Sequence, residues 1–116
     1  MHELSISSAV VDTALRHASG RRVTLVSMRI GHLRQVVPDS LAFYFELVSR
    51  DTLCEGARLE QVLVPARLRC DGCVREWDPE EALFRCPGCG GAGDVIAGNE
   101  LEVESIEVEE DAACTA

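Results

Sequence analysis

RLRCDGCVREWDPEEALFRCPGCGGAGDVIAG, residues 67–98, is unlike the sequence on either side of it. It holds four of the six cysteines, two of the four prolines and six of the nine glycines. No hydrophobic period runs through it. Its apolar residues are too few for a core of its own. It therefore reads as a small loop-rich insert, and the main fold has to be sought in what it interrupts.

On the N-terminal side, residues 58–65 (RLEQVLVP) have the composition of a strand closed by Pro65. On the C-terminal side, residues 99–109 (NELEVESIEVE) return to strand alternation. Leu101 and Val103 share one parity, Ile106 and Val108 the other, so a bulge or twist is expected at Ser105. Further out, Pro38-Asp39-Ser40 opens a helix whose Leu41, Tyr44, Phe45 and Val48 recur at i, i+3, i+4 and i+7. Val26, Met28 and Ile30 alternate in a strand that stops at Gly31. Residues 4–18 place Leu4, Val11, Leu15 and Ala18 on one helical stripe, with Val10 and Ala14 beside it and a stop at Ser19-Gly20.

The order helix, strand, helix, strand, insert, strand predicts an α+β fold. Two helices lie on one face of a three-stranded sheet, and a four-cysteine zinc-ribbon subdomain is inserted between the last two strands. The expected domains are residues 1–65 plus 99–109, the insert 66–98, and a flexible acidic tail at 110–116.

Cys70-Asp-Gly-Cys73 and Cys86-Pro-Gly-Cys89 are the most specific signal in the chain. A C-x-x-C turn aims two thiolates at one point, and two such turns complete a tetrahedron. Zn²⁺ accepts that soft, four-coordinate environment. Iron in a rubredoxin-like centre, or a pair of redox dithiols, would use the same residues. On the zinc reading the site is closed and structural, and its binding free energy is also folding free energy for the insert.

Composition excludes several functions. The net charge of −9 argues against nucleic acid and against an anionic membrane surface, since such binders cluster Lys and Arg. No apolar run approaches the ~18 residues of a membrane span, and no signal-peptide pattern opens the sequence. A cytoplasmic location is expected, where six cysteines serve as metal ligands or free thiols rather than disulfides. Cys54 reads as a small loop or core residue and Cys114 as a free thiol. His17 and His32 read as surface histidines. No nucleophile–base pair, phosphate-cradling glycine loop or open metal site is present, so an enzyme is not expected. A protein-binding zinc-ribbon adaptor remains the alternative.

The opening Met1-His2-Glu3 carries a second metal signal. The Met1 amine, the His2 imidazole and the backbone nitrogens of His2 and Glu3 lie within one short loop of chain, and Glu3 adds a carboxylate. Nitrogen-rich planar sets favour Ni²⁺ or Cu²⁺ over Mg²⁺ or Ca²⁺. The bulky second residue disfavours removal of Met1. A solvated histidine ahead of a helix is the plainer reading of the same residues.

MHELSI at 1–6, RIGHL at 29–33, VPDSLAF at 37–43, LCEGARLE at 53–60, the two C-x-x-C pairs and GNELEVESIEVE at 98–109 together resemble the HypA/HybF family. These are accessory proteins that help insert nickel into NiFe hydrogenases. The resemblance runs from residue 1 to about 109. It implies weak, reversible nickel binding through His2 and Glu3 with the Met1 amine, and Asp39 near that site. It also implies zinc on Cys70, Cys73, Cys86 and Cys89. The implied partners are a nickel-handling GTPase and the hydrogenase large subunit. Cys54 and the tail with Cys114 fall outside the family pattern.

Overall fold

The computed structural model describes residues 2–79 and 85–110. Along the chain run α1 (Glu3–His17), β1 (Val23–Gly31), a 3-10 turn (His32–Arg34), α2 (Pro38–Ser49), β2 (Arg58–Val64), β3 (Arg67–Cys70), β4 (Glu76–Trp77), β5 (Gly93–Ala97) and β6 (Leu101–Val108). The Met1 amine, residues 80–84 of the insert, and the tail from 111 with Cys114 lie outside the described residues.

The chain divides into two compact units. Among the described residues, the first comprises residues 2–29, Val36–Val62 and residues 102–110. Its sheet has the order β2-β1-β6, with the two helices on one face as expected. The central strand supplies four almost fully buried side chains: Val23, Val26, Met28 and Ile30 are each 1% exposed or less. Burying a side chain of that size stabilises by about 1.5–3 kcal/mol. Leu41 and Phe45 of α2 are buried as their spacing predicts, with Tyr44 and Val48 half-buried beside them. Along β6 the half-buried residues are Leu101, Val103, Ile106 and Val108, and the change of parity falls at the exposed pair Glu104-Ser105. Cys54 is fully buried.

The buried stripe of α1 differs from the one expected. It runs through Ser7, Val10, Val11 and Ala14 to Ala18, while Leu4 is 48% exposed and Leu15 only half-buried. The difference arises at the contact with α2. The Ser7 hydroxyl donates to the Leu41 carbonyl at 3.3 Å, so a small polar residue is satisfied where a leucine would hold the helices apart.

The second unit comprises Ile30–Gln35 and Leu63–Leu101. Here the expectation of a coreless, loop-rich insert is corrected. The segment has its own antiparallel sheet of order β4-β3-β5 and a buried cluster of Leu68, Cys70, Trp77 and Cys86. Leu68 stands opposite Trp77 on one side and Val95 on the other. Two of the four buried residues are cysteines, so the core and the metal ligands are partly the same atoms. A Cβ at Gly93 would run into the Trp77 indole, so glycine is what lets β5 lie against that ring.

Candidate metal centres

β3 ends in Cys70, and the chain turns at once through Asp71-Gly72-Cys73. Cys86-Pro87-Gly88-Cys89 makes the second turn. The four Sγ atoms lie within 4.8 Å of one another. A contact of 3.4 Å joins Cys70 to Cys89, and one of 3.5 Å joins Cys73 to Cys86. A tetrahedron with metal–sulfur bonds near 2.3 Å has S···S edges of about 3.8 Å. The sulfur positions therefore fit a tetrahedral ion that prefers soft ligands.

Both turns are built alike. Gly72 N–H donates to Cys70 Sγ, and Gly88 N–H donates to Cys86 Sγ, each at 3.4 Å. Cys70 N–H donates to the Arg75 carbonyl at 2.8 Å, and Cys86 N–H to the Gly91 carbonyl at 2.9 Å. The residue following the second cysteine is left-handed in both turns: Gly90 with φ 73°, and Val74 with φ 55°. Glycine adopts that conformation freely, whereas a β-branched side chain is strained there. The closure of the turn imposes it on Val74.

Without an ion the four thiols ionise unequally. Burial works against ionisation of Cys86, but the backbone N–H groups of Cys89 and Gly88 and the thiols of Cys73 and Cys89 outweigh it and lower the group to about 6. Cys70 is lowered too, by the backbone N–H groups of Cys73 and Gly72. Cys89 gains from the Gly91 N–H, yet hydrogen bonds with Cys70, Cys86 and Cys73 push it up to about 11. Cys73 gains from the Arg75 N–H but is raised by hydrogen bonds to Cys86 and Cys70. In each turn the first cysteine ionises more readily than the second. A bound dication turns all four into thiolates.

The other predicted ligands lie in the first unit. His2 is the exposed N-cap of α1, and its side chain makes no capping bond. The first helical bond runs from Ile6 N–H to the His2 carbonyl at 3.1 Å. The backbone nitrogens of His2 and Glu3 thus belong to the unsatisfied first turn, where a metal can use them without breaking the helix. The Glu3 carboxylate is already engaged: its Oε2 accepts Val37 N–H at 3.4 Å. Val37 is the N-cap of α2 and Asp39 lies in the first turn of that helix, so Glu3 is tied to the segment that carries Asp39. This tie has no signature in the sequence. His17 and His32 are exposed, and His17 Nδ1 pairs with the Thr13 carbonyl at 2.8 Å.

Among the described residues no helix is long and apolar enough to cross a membrane. Residues 1–108 match the family described as "Hydrogenase/urease nickel incorporation, metallochaperone, hypA". The chain is 46% identical over 110 residues to the hydrogenase maturation factor HypA of Geobacter metallireducens, covering 94% of this chain and 100% of that one. It is 41% identical over 116 residues to the factor of the same name from Streptomyces avermitilis, covering 95% and 88%. In fold it is similar to the solution structure of the Ni metallochaperone HypA from Helicobacter pylori. The TM-score there is 0.71 at 24% identity, covering 96% of this chain and 100% of that one.

Proposed function

Because this chain belongs to the HypA family of nickel-incorporation metallochaperones, which are maturation factors and not enzymes, we propose that it carries nickel at its first residues. The ligands are the His2 imidazole, the Met1 amine and the backbone nitrogens of His2 and Glu3. Asp39 is a neighbouring carboxylate. The ion is cargo, passed on during maturation of NiFe hydrogenase. The four-cysteine cluster holds zinc as a structural ion, on the residues Cys70, Cys73, Cys86 and Cys89. The partners are a nickel-handling GTPase and the hydrogenase large subunit, and the location is the cytoplasm.

The observation that carries this reading is the state of the α1 N-terminus. The His2 side chain is exposed and makes no capping bond, and the backbone nitrogens beside it take no part in the helix. The positive ends of the α1 and α2 dipoles both act on this region, which opposes a cation, and the carboxylates of Glu3 and Asp39 offset that. The balance gives a site that selects by planar nitrogen geometry and still lets its ion go. Zn²⁺, which prefers a tetrahedron, is disfavoured there.

The test is a nickel titration of the untagged protein and of His2→Ala, read by ultraviolet-visible absorption for planar Ni²⁺, with zinc content measured alongside. The expected result is loss of nickel binding at unchanged zinc. Equal nickel uptake by the two proteins, or by protein acetylated at its first residue, would overturn the assignment.

A further inference from the structure

We infer that the four-cysteine cluster is an oxidation site at which a hydroperoxide forms disulfides between the two knuckles, Cys70–Cys89 and Cys73–Cys86, and expels the zinc. The inference rests on the zinc reading of the cluster and goes beyond its structural role. The sulfur–sulfur contacts at 3.4 and 3.5 Å both join different knuckles. Each such pair contains one exposed cysteine, Cys89 or Cys73, and one buried cysteine, Cys70 or Cys86.

The exposed sulfur meets the oxidant first. Its thiolate attacks the peroxide, an S–O bond forms, the O–O bond breaks and an alkoxide or hydroxide leaves. The buried thiolate opposite then attacks the sulfenic sulfur. An S–S bond forms, the S–O bond breaks and hydroxide departs, with water supplying protons to both leaving groups. Each disulfide gives up two electrons to one peroxide. With all four thiolates consumed, the dication has no ligands left.

The pairing decides what remains of the fold. Cys70 and Cys86 are half of the buried cluster around Leu68 and Trp77. Bonds between the knuckles hold both in place after the metal has gone, so the unit stays assembled and a thiol reductant with zinc restores it. Bonds within each knuckle, Cys70–Cys73 and Cys86–Cys89, would leave the knuckles unlinked.

The experiment treats untagged, zinc-loaded full-length protein with about two equivalents of hydrogen peroxide. Released zinc is measured with a chromogenic chelator, Trp77 fluorescence is followed, and the disulfides are mapped after trypsin. Cleavage after Arg69, Arg75 and Arg85 puts the two knuckles on separate peptides. Expected are stoichiometric zinc release, knuckle peptides that stay joined until reduced, fragment ions that place the bonds at 70–89 and 73–86, and recovery of zinc after dithiothreitol. Separate peptides, the pairing 70–86 with 73–89, sulfinic acids, bonds to Cys54 or Cys114, or retained zinc would overturn the inference. Protein that contains no zinc before treatment would instead overturn the zinc reading, and this inference with it.

Discussion

The Glu3 carboxylate accepts the backbone N–H of Val37 at 3.4 Å, across a sequence separation of 34 residues. Val37 is the N-cap of α2 and has no side-chain oxygen with which to cap it. In a capping box the third residue of the same helix reaches back to the N-cap N–H. In α2 that residue is Ser40, and the carboxylate comes from α1 instead. One interaction thus caps the second helix and fixes the chain immediately after His2.

Glu3→Ala separates the two roles. It removes a long, exposed hydrogen bond that stabilises by about 0.5–1.5 kcal/mol, and thermal unfolding should show a loss of that size. Nickel affinity should fall less than in His2→Ala, because the backbone nitrogen of residue 3 is retained. A Glu3→Ala protein that binds nickel no better than His2→Ala would make the carboxylate a direct ligand.

Zinc should be lost on acidification. The ion needs four thiolates, and in its absence Cys89 lies near 11 while Cys86 lies near 6. At neutral pH, zinc therefore displaces a proton from Cys89 while Cys86 is already ionised. As the pH falls through about 6, Cys86 also takes up a proton, so the affinity drops more steeply with each unit. Zinc retention against a fixed chelator, measured from pH 8 to 5, checks the sign. Retention that rises as the pH falls would contradict it.

Gly93→Ala places a methyl group against the Trp77 indole and should destabilise the second unit by about 1–3 kcal/mol. Trp77 is the only tryptophan, so its fluorescence reports this unit. The urea midpoint read at tryptophan should move down. The proposed nickel-binding residues lie in the other unit, and nickel affinity should be unchanged.

Val74→Gly should act in the opposite direction. A side chain in the left-handed region costs about 1–2 kcal/mol, and the added freedom of glycine takes back about 0.5–1 kcal/mol. A net gain of about 0–1.5 kcal/mol in the zinc-loaded unit is expected, again read from Trp77 in urea. A loss would mean that the exposed Val74 side chain makes a contact worth more than its strain.

Local chemistry makes much of this protein legible in advance. The cysteine tetrad is readable because each pair is separated by two residues, so the turn itself aims the thiolates. Leu41, Phe45, Val26, Met28 and Ile30 are readable because burial follows the period of the backbone. The sheet and core of the insert are not, because that core is partly made of the ligands themselves. Only the parity shared by Leu68 and Cys70 hints at a strand, and Trp77 gives no period at all.

By itself the sequence determined the two helices, the three strands, the two cysteine turns and the candidate nickel end, since each depends on residues a few positions apart. Tertiary structure alone decided that Ser7 rather than Leu4 faces α2, that Glu3 caps Val37, and that Gly93 admits Trp77. These depend on which distant segments meet and how closely. A hydroxyl finds a carbonyl, or a glycine makes room for an indole, only after the backbones have been brought together, and no local spacing encodes that approach.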